Sequence, residues 1–87
     1  MADIHVERSE DVFDVRVSEG GDETTHRVTA SDEDLERLGS GYESPETFIR
    51  ACFEFLLQRE PKESILSSFD VSVISSYFPE FEERIRR

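Results

Sequence analysis

Hydrophobic and polar residues alternate along the first thirty residues of the chain. One set of alternate positions is apolar or aromatic, whereas the positions between them are mostly polar: the first set is Ile4, Val6, Phe13, Val15, Val17, His26, Val28 and Ala30. This period of two is typical of strands with one buried and one solvated face. Gly20-Gly21 supplies a tight turn between the second and third strands. The pattern therefore predicts a three-stranded antiparallel meander over residues 1–30.

Charge selects the register of the second and third strands. A Gly20-Gly21 turn sets Asp14 opposite Arg27, whereas a Gly21-Asp22 turn sets Arg16 opposite Arg27. Directly opposed like charges are destabilising, and opposite charges stabilise by roughly 0.2–1 kcal/mol. We therefore predict the Gly20-Gly21 turn.

The register of the first two strands is less constrained. Inward residues of one strand must oppose inward residues of the next. A turn at Ser9-Glu10 meets this condition and sets Val6 opposite Phe13 and His5 opposite Asp14. We predict this hairpin, although Ser-Glu is a poor two-residue turn.

The hydrophobic period changes after Ala30. Ser31 can cap a short helix with Leu35 and Leu38 inward, and Gly39 and Gly41 are expected to end it. The acidic residues Asp32–Asp34 occupy its first turn, where negative charge suits the helix dipole.

The second helix has the clearest start in the chain. Ser44 is its cap, Pro45 is its first residue, and the helix is predicted to run to Glu60 and stop before Pro61. Its polar residues form one narrow stripe, which consists of Glu46, Arg50, Glu54 and Gln58. A helix that is apolar nearly all round must be covered on several sides. We therefore expect it to lie across the apolar face of the sheet.

The sequence from Pro61 onwards predicts three short helices. Pro61 is predicted to open one, Asp70 to cap the next and Pro79 to open the last. The first would carry the apolar residues Ile65, Leu66 and Phe69, and in the second Val71, Val73, Ile74 and Tyr77 are needed for packing. The predicted fold is α+β and consists of one domain, residues 1–87, with a sheet over 1–30 and a helical part over 31–87. In it, a three-stranded antiparallel meander packs against a long central helix, with short C-terminal helices.

Charge is the strongest compositional signal. The chain has 21 Asp and Glu against 10 Lys and Arg, a net charge of −11; it contains no Asn, and Lys62 is its one Lys. A field of this sign repels phosphate backbones and anionic lipid, so we expect neither nucleic acid nor membrane as a partner. The composition suits a halophilic, salt-loaded cytoplasm. A GC-rich genome with an ordinary acidic surface is the alternative.

Cysteine usage and hydropathy bear on location. The single Cys precludes an internal disulfide, which fits a reducing compartment. No apolar run approaches the roughly 18–20 residues of a membrane span, and no export signal is visible. We therefore expect a cytoplasmic protein.

Polar residues of the predicted sheet offer two candidate sites of chemistry. His5, Asp14 and Arg27 would form a row across the solvated face, but the row has no nucleophile, and a charge ladder is the favoured interpretation. His26, near the hairpin turn, is expected to be a partly buried edge residue. A lone His without a second His or Cys at ligand spacing does not indicate zinc.

Two further features are also interpreted as structural. Cys52 lies on the apolar helix with no cation beside it, which favours a core residue over a nucleophile. The acidic tract Asp32–Asp34, joined by Glu36, lacks the spacing of a calcium loop. We therefore predict no catalytic, cofactor-binding or metal-binding residue, no cofactor, and no enzymatic activity.

The segment Glu63–Tyr77 resembles a helix-turn-helix, with apolar anchors on either side of a short turn. Its second helix would display Ser72, Ser75 and Ser76, which can touch DNA. Among nearby residues only Lys62 is basic, however, and phosphate neutralisation drives most DNA affinity.

The runs Phe53–Leu66 and Tyr77–Phe81 resemble small uncharacterised prokaryotic proteins that have no assigned activity. The layout of a β-hairpin followed by a helix is also loosely similar to antitoxin-type regulators. Neither resemblance implies a functional residue. We therefore expect a small acidic binding or regulatory module that acts through protein–protein contacts, with another protein or a second copy as its partner. The alternative is a transcriptional regulator that uses residues 63–77.

Overall fold

The computed structural model of the protein describes residues 2–86. Four strands and four α-helices occur in these residues, in an α+β arrangement. The strands are β1 (Asp3–Ser9), β2 (Val12–Glu19), β3 (Asp22–Thr29) and β4 (Ser68–Asp70). The helices are α1 (Asp32–Gly39), α2 (Pro45–Leu57), α3 (Ser72–Tyr77) and α4 (Phe81–Ile85), and a 3₁₀ turn spans Lys62–Ser64.

The β2–β3 hairpin has the predicted register. Asp14 lies opposite Arg27, and the two strands close on a two-residue turn at Gly20-Gly21. Both glycines adopt positive φ angles, 61° and 87°, which side chains disfavour. The conformation of the turn and the pairing of opposite charges therefore both favour this register.

The predicted register of β1 and β2 is wrong by two residues. Ser9 pairs with Val12, so the turn is Glu10-Asp11, and Val6 lies opposite Val15. His5 therefore faces Arg16 rather than Asp14. A shift of two residues leaves every side chain on its original face, so the hydrophobic pattern cannot distinguish the two registers.

The sheet has a fourth strand that the predicted meander lacks. Its order is β1-β2-β3-β4, and β4 pairs parallel with β3, with Phe69 beside Val28. The predicted helix from Pro61 is wrong, because this segment forms a 3₁₀ turn and then β4. Strand β4 is formed because β3 offers a free edge: Arg27 N–H donates to the Ser67 carbonyl (2.8 Å), and Val71 N–H donates to the Thr29 carbonyl (2.9 Å).

The two remaining short helices form near their predicted starts. The Asp70 carboxylate accepts the Ser72 backbone N–H (3.0 Å) at the start of α3. Helix α4 follows Pro79 and buries Phe81 and Ile85. Aspartate before a helix and proline just ahead of one are both start signals that act locally.

The helices α1 and α2 begin where their caps predict. Ser31 Oγ accepts the Asp34 N–H (3.1 Å), and Ser44 Oγ accepts the Thr47 N–H (3.2 Å). Helix α2 ends at Leu57, before the predicted end. The Pro that follows at position 61 disfavours helical geometry in the residue before it, and the chain leaves the helix ahead of that point.

Helix α1 ends at Gly39, as predicted, but Gly39 does not act as a left-handed cap. It is the last residue of α1, and the following Ser40 has a φ of −64°, so no left-handed cap ends this helix. A Cβ at Gly39 would lie 3.0 Å from a Phe48 ring atom. Gly39 therefore permits the close approach of α1 to α2.

The core lies between the sheet and the helices. Helix α2 packs over the sheet near β1, and the Phe53 ring lies 5.3 Å from the His26 ring of β3. The buried apolar residues are Phe13, Val15, Val17, Val28, Ala30, Leu38, Phe48, Ile49, Cys52, Phe53, Phe55, Leu56, Ile65, Val71, Ile74, Phe81 and Ile85. The predicted orientation of α2 is consistent with this set, because Arg50, Glu54 and Gln58 are exposed.

Candidate protein-binding surface

The predicted row on the solvated face of the sheet is only partly assembled. Arg27 Nε donates to Asp14 Oδ1 (3.3 Å), and both side chains are more than half exposed. His5 Nε2 contacts Glu7 of its own strand (3.0 Å) and not Asp14. These residues line an open hollow of about 510 Å³. The row therefore consists of one exposed ion pair, Asp14–Arg27, and an exposed His5–Glu7 contact, and exposed pairs of this kind typically contribute little to stability.

His26 is buried rather than at an edge. Its side chain is 4% exposed, because β4 and the preceding loop cover this part of β3. Nδ1 lies 2.7 Å from the Leu66 carbonyl, and Nε2 lies 2.9 Å from the Thr24 hydroxyl. A carbonyl only accepts, so Nδ1 donates to Leu66, and in the neutral tautomer with this proton Nε2 accepts from the Thr24 hydroxyl. His26 therefore connects the sheet to the loop before β4.

Cys52 lies in the core, as predicted. It is 1% exposed, and burial raises the pKa of its thiol far above the ordinary value. Because the thiolate is the reactive form, this residue is a poor nucleophile.

The acidic tract forms the first turn of α1, as the capping pattern predicts. Within residues 2–86, no three His, Cys, Asp or Glu side chains are grouped so that they could hold a metal ion. The tract therefore lies where negative charge suits the helix dipole.

The sequence pattern gave no sign that Lys62 would be buried, yet it is the most buried cation of the described chain. Its side chain is 5% exposed, and Nζ donates to Glu63 Oε2 (2.7 Å). This hydrogen bond raises the pKa of Lys62, with smaller contributions from Asp22 and Glu19. The cation is therefore paired within the 3₁₀ turn, and the carboxylates of Asp22 and Glu19 beside the β2–β3 turn act on it electrostatically.

The segment 63–77 does not form two helices. It contains the end of a 3₁₀ turn, strand β4 and the six-residue helix α3. Val71 and Ile74 are buried, as expected of packing residues. Leu66 and Tyr77, which the sequence pattern assigned to packing, are instead exposed, by 47% and 67%.

An apolar depression lies between α2, β4 and α3. We call it the apolar surface; it is lined by Leu56, Ile65, Leu66, Phe69, Val73, Ile74, Tyr77 and Phe78. Its interior volume is about 30 Å³, so it is a shallow depression and not a cavity for a small molecule. Among its lining residues there is no carboxylate, imidazole or amine. Apolar contact is the chemistry that it offers.

The residues of the apolar surface are packed against the core. The Phe78 ring packs edge-on against Phe55 of α2 (5.9 Å), and the Phe69 ring packs against Phe53 (6.0 Å). The Leu66 backbone is held by the hydrogen bond from His26. Exposed Leu66 therefore projects from a loop that is anchored to the core.

The carboxylate of Asp70 lies at the border of the apolar surface. Asp70 is adjacent in sequence to Phe69 and accepts hydrogen bonds from Thr29 Oγ1 (2.8 Å) and Ser72 Oγ (2.8 Å). Burial raises the pKa of Asp70, but the hydrogen bonds from Ser72 and Thr29 lower it more, and the pKa lies below its ordinary value. Asp70 therefore stays ionised beside the apolar surface.

No protein family matches this chain, and no curated protein or solved structure is significantly similar to it. The resemblance of residues 53–81 to small prokaryotic proteins therefore stays a prediction. None of the helices in residues 2–86 has the length and apolar content needed to cross a lipid bilayer.

Proposed function

We propose that this protein is a binding module that acts through protein–protein contacts and has no catalytic activity. The observation that carries the proposal is the exposure of Leu66 and Tyr77 together on one shallow depression. Contiguous apolar surface that is exposed on a small domain commonly marks an interaction site. Tyrosine at such a position supplies a large contact area at a small cost in conformational entropy.

The proposed partner is a basic protein segment with apolar anchors. The anchors would cover Leu66 and Tyr77, and Lys or Arg around them would face a chain with a net charge of −11. Complementary charge raises the association rate and discriminates against acidic competitors. The same field supports the proposal that nucleic acid is not the partner.

The test is a selection of displayed random peptides on the immobilised protein, followed by affinity measurement with synthetic peptides. We expect enriched peptides to combine aromatic or aliphatic residues with Lys or Arg. The double variant Leu66→Ser/Tyr77→Ser should weaken their binding at least tenfold, because truncated anchors typically cost more than about 1.4 kcal/mol. Both side chains are exposed, so the double variant should remain folded.

The matched control is Leu57→Ser, which removes a half-buried apolar side chain outside the lining of this surface. It should bind the selected peptides like the unmodified protein. Peptides that bind the double variant and the unmodified protein equally would exclude the apolar surface as the site. Failure to enrich any basic and apolar sequence would contradict the proposed partner.

A transcriptional regulator that uses residues 63–77 is the second hypothesis. It receives less support, because a strand, Ser68–Asp70, divides this segment. A salt-sensitive mobility shift with DNA would favour it. A cytoplasmic location and adaptation to high salt also belong to our proposal, and they are supported by the single buried thiol and the excess of carboxylates.

A further inference from the structure

The sheet ends at β1, whose outer edge faces no other strand of residues 2–86. An antiparallel strand directs the backbone groups of successive residues alternately to its two neighbours. The two-residue turn makes Ser9 and Val12 a hydrogen-bonded pair, so Ser9, Glu7, His5 and Asp3 bond to β2. The N–H and C=O groups of Ile4, Val6 and Arg8 therefore point to the free edge.

Strand β3 provides an internal check of this alternation. Counting from the Glu19–Asp22 pair that closes the β2–β3 turn, the backbone groups of Arg27 and Thr29 should point away from β2. They do, because Arg27 N–H donates to Ser67 and the Thr29 carbonyl accepts from Val71. The same counting therefore holds for the outer edge of β1.

The core side of this edge is also incompletely covered. Ala2, Ile4, Val6 and Leu57 are partly buried apolar residues that pack at the margin of the core. Together with Glu54, three of them (Ala2, Ile4 and Leu57) line an open hollow beside β1. An unpaired edge with adjacent apolar side chains is a template for another strand.

Charge selects the register in which a second β1 would fit. With Val6 opposite Val6, each His5 faces a Glu7, and Ile4 faces Arg8. If the partner strand is shifted so that His5 lies opposite His5, Asp3 lies opposite Glu7. If it is shifted in the other direction, Glu7 lies opposite Glu7. Like charges directly opposed are destabilising. The Val6-centred register also pairs the three residues of each β1 whose backbone groups point to the free edge, Ile4, Val6 and Arg8. Each pair forms two backbone hydrogen bonds.

We propose that β1 pairs antiparallel with β1 of a second copy of this chain, centred on Val6, to form one continuous sheet. The pairing removes the exposed edge and covers Ile4 and Val6. It brings together two chains that each carry a net charge of −11. Dimerisation is therefore favoured by high ionic strength, which screens this repulsion. This surface differs from the apolar surface, so neither proposal depends on the other.

Sedimentation equilibrium on the full chain tests the dimer, at about 0.1 mM protein and KCl from about 0.05 M to about 2 M. We expect the dimer fraction to rise with KCl. Val6→Pro removes the central N–H that points to the partner and no hydrogen bond to β2, so it should be monomeric throughout. The matched control Val6→Thr keeps the shape and the N–H, and it should dimerise like the unmodified protein. Edge strands tolerate proline at such positions.

A charge exchange gives a second, independent measurement if Val6→Pro does not fold. His5→Glu opposes two pairs of like charges across the two-fold axis and should raise the dimer dissociation constant about tenfold at low salt. His5→Glu/Glu7→Lys should recover most of that loss. A chain that stays monomeric at about 2 M KCl would overturn the proposal. A dimer that persists in folded Val6→Pro would also overturn it, and so would a charge exchange that leaves the dimer dissociation constant unchanged. The control Leu66→Ser, on the apolar surface, should dimerise like the unmodified protein.

Discussion

His26 should hold the base of the apolar surface in place, and replacing it by Phe isolates that role. Phenylalanine keeps an aromatic ring against Phe53, where the two rings are 5.3 Å apart. It removes the Nδ1–H that the Leu66 carbonyl accepts at 2.7 Å and the Nε2 that Thr24 contacts at 2.9 Å. The change therefore separates hydrogen bonding from packing.

The expected loss in the free energy of unfolding is roughly 1–3 kcal/mol, because two hydrogen bonds of about 1 kcal/mol each are lost. Both bonds are only partly buried, so the loss should fall in the lower half of that range. The control Thr24→Val removes the Nε2 bond alone. It should cost about 0.5–1.5 kcal/mol and leave the Leu66 anchor intact.

Urea titration gives the global cost, and amide hydrogen exchange gives the local one. The Arg27 N–H donates to Ser67, next to Leu66, at 2.8 Å. Its protection should fall in His26→Phe by more than the global loss requires, and in Thr24→Val by no more than that loss. If His26→Phe is within about 0.5 kcal/mol of the unmodified protein and Arg27 protection is unchanged, His26 does not anchor this loop.

Four further predictions follow from the charges and the core. Leu56→Ala should cost roughly 2–5 kcal/mol and exposed Glu54→Ala under about 0.5 kcal/mol, and denaturant melts that rank them in reverse would contradict the orientation of α2. A double-mutant cycle with Arg27→Glu and Asp14→Lys should show a coupling of roughly 0.2–1 kcal/mol, whereas additive losses would mean no direct pairing. The melting temperature should rise as KCl goes from millimolar to molar, more than for a near-neutral domain of equal size, and a flat series would exclude the salt-adapted interpretation. Because folding lowers the pKa of Asp70, its ionised carboxylate adds to the free energy of unfolding, fully above the ordinary aspartate pKa and no longer once the pH falls through the lowered pKa. Thermal melts below about pH 4 should therefore show a loss of stability, and this loss should be smaller in Asp70→Asn.

The local sequence determined the parts of this protein that depend on near neighbours. Alternation placed the first three strands, and the Gly20-Gly21 turn with the Asp14–Arg27 pair selected the β2–β3 register. Ser44 began the buried helix α2, and its apolar circumference placed Cys52 in the core. Each of these features follows from side-chain period, turn conformation or capping within a few residues.

Only the tertiary structure decided the β1–β2 register and the fourth strand. The two β1–β2 registers bury the same side chains, and the turn that forms places Glu10 at a φ of 59°, which its sequence does not announce. Strand β4 is three residues long, and its partner lies about forty residues earlier in the chain. A segment this short carries no periodicity of its own, so its conformation comes from the hydrogen bonds that β3 offers.

The tertiary structure also decided which residues form the candidate binding surface. Leu66 and Tyr77 have the composition of core residues, and the pattern alone assigned them to packing. The exposure of Leu66 accompanies the replacement of a predicted helix by a 3₁₀ turn and β4, and the hydrogen bond from His26 holds the Leu66 carbonyl in this arrangement. Tyr77 is exposed at the last residue of α3. Hydrophobicity states which side chains favour burial, whereas the tertiary arrangement of the elements decides which of them remain at the surface.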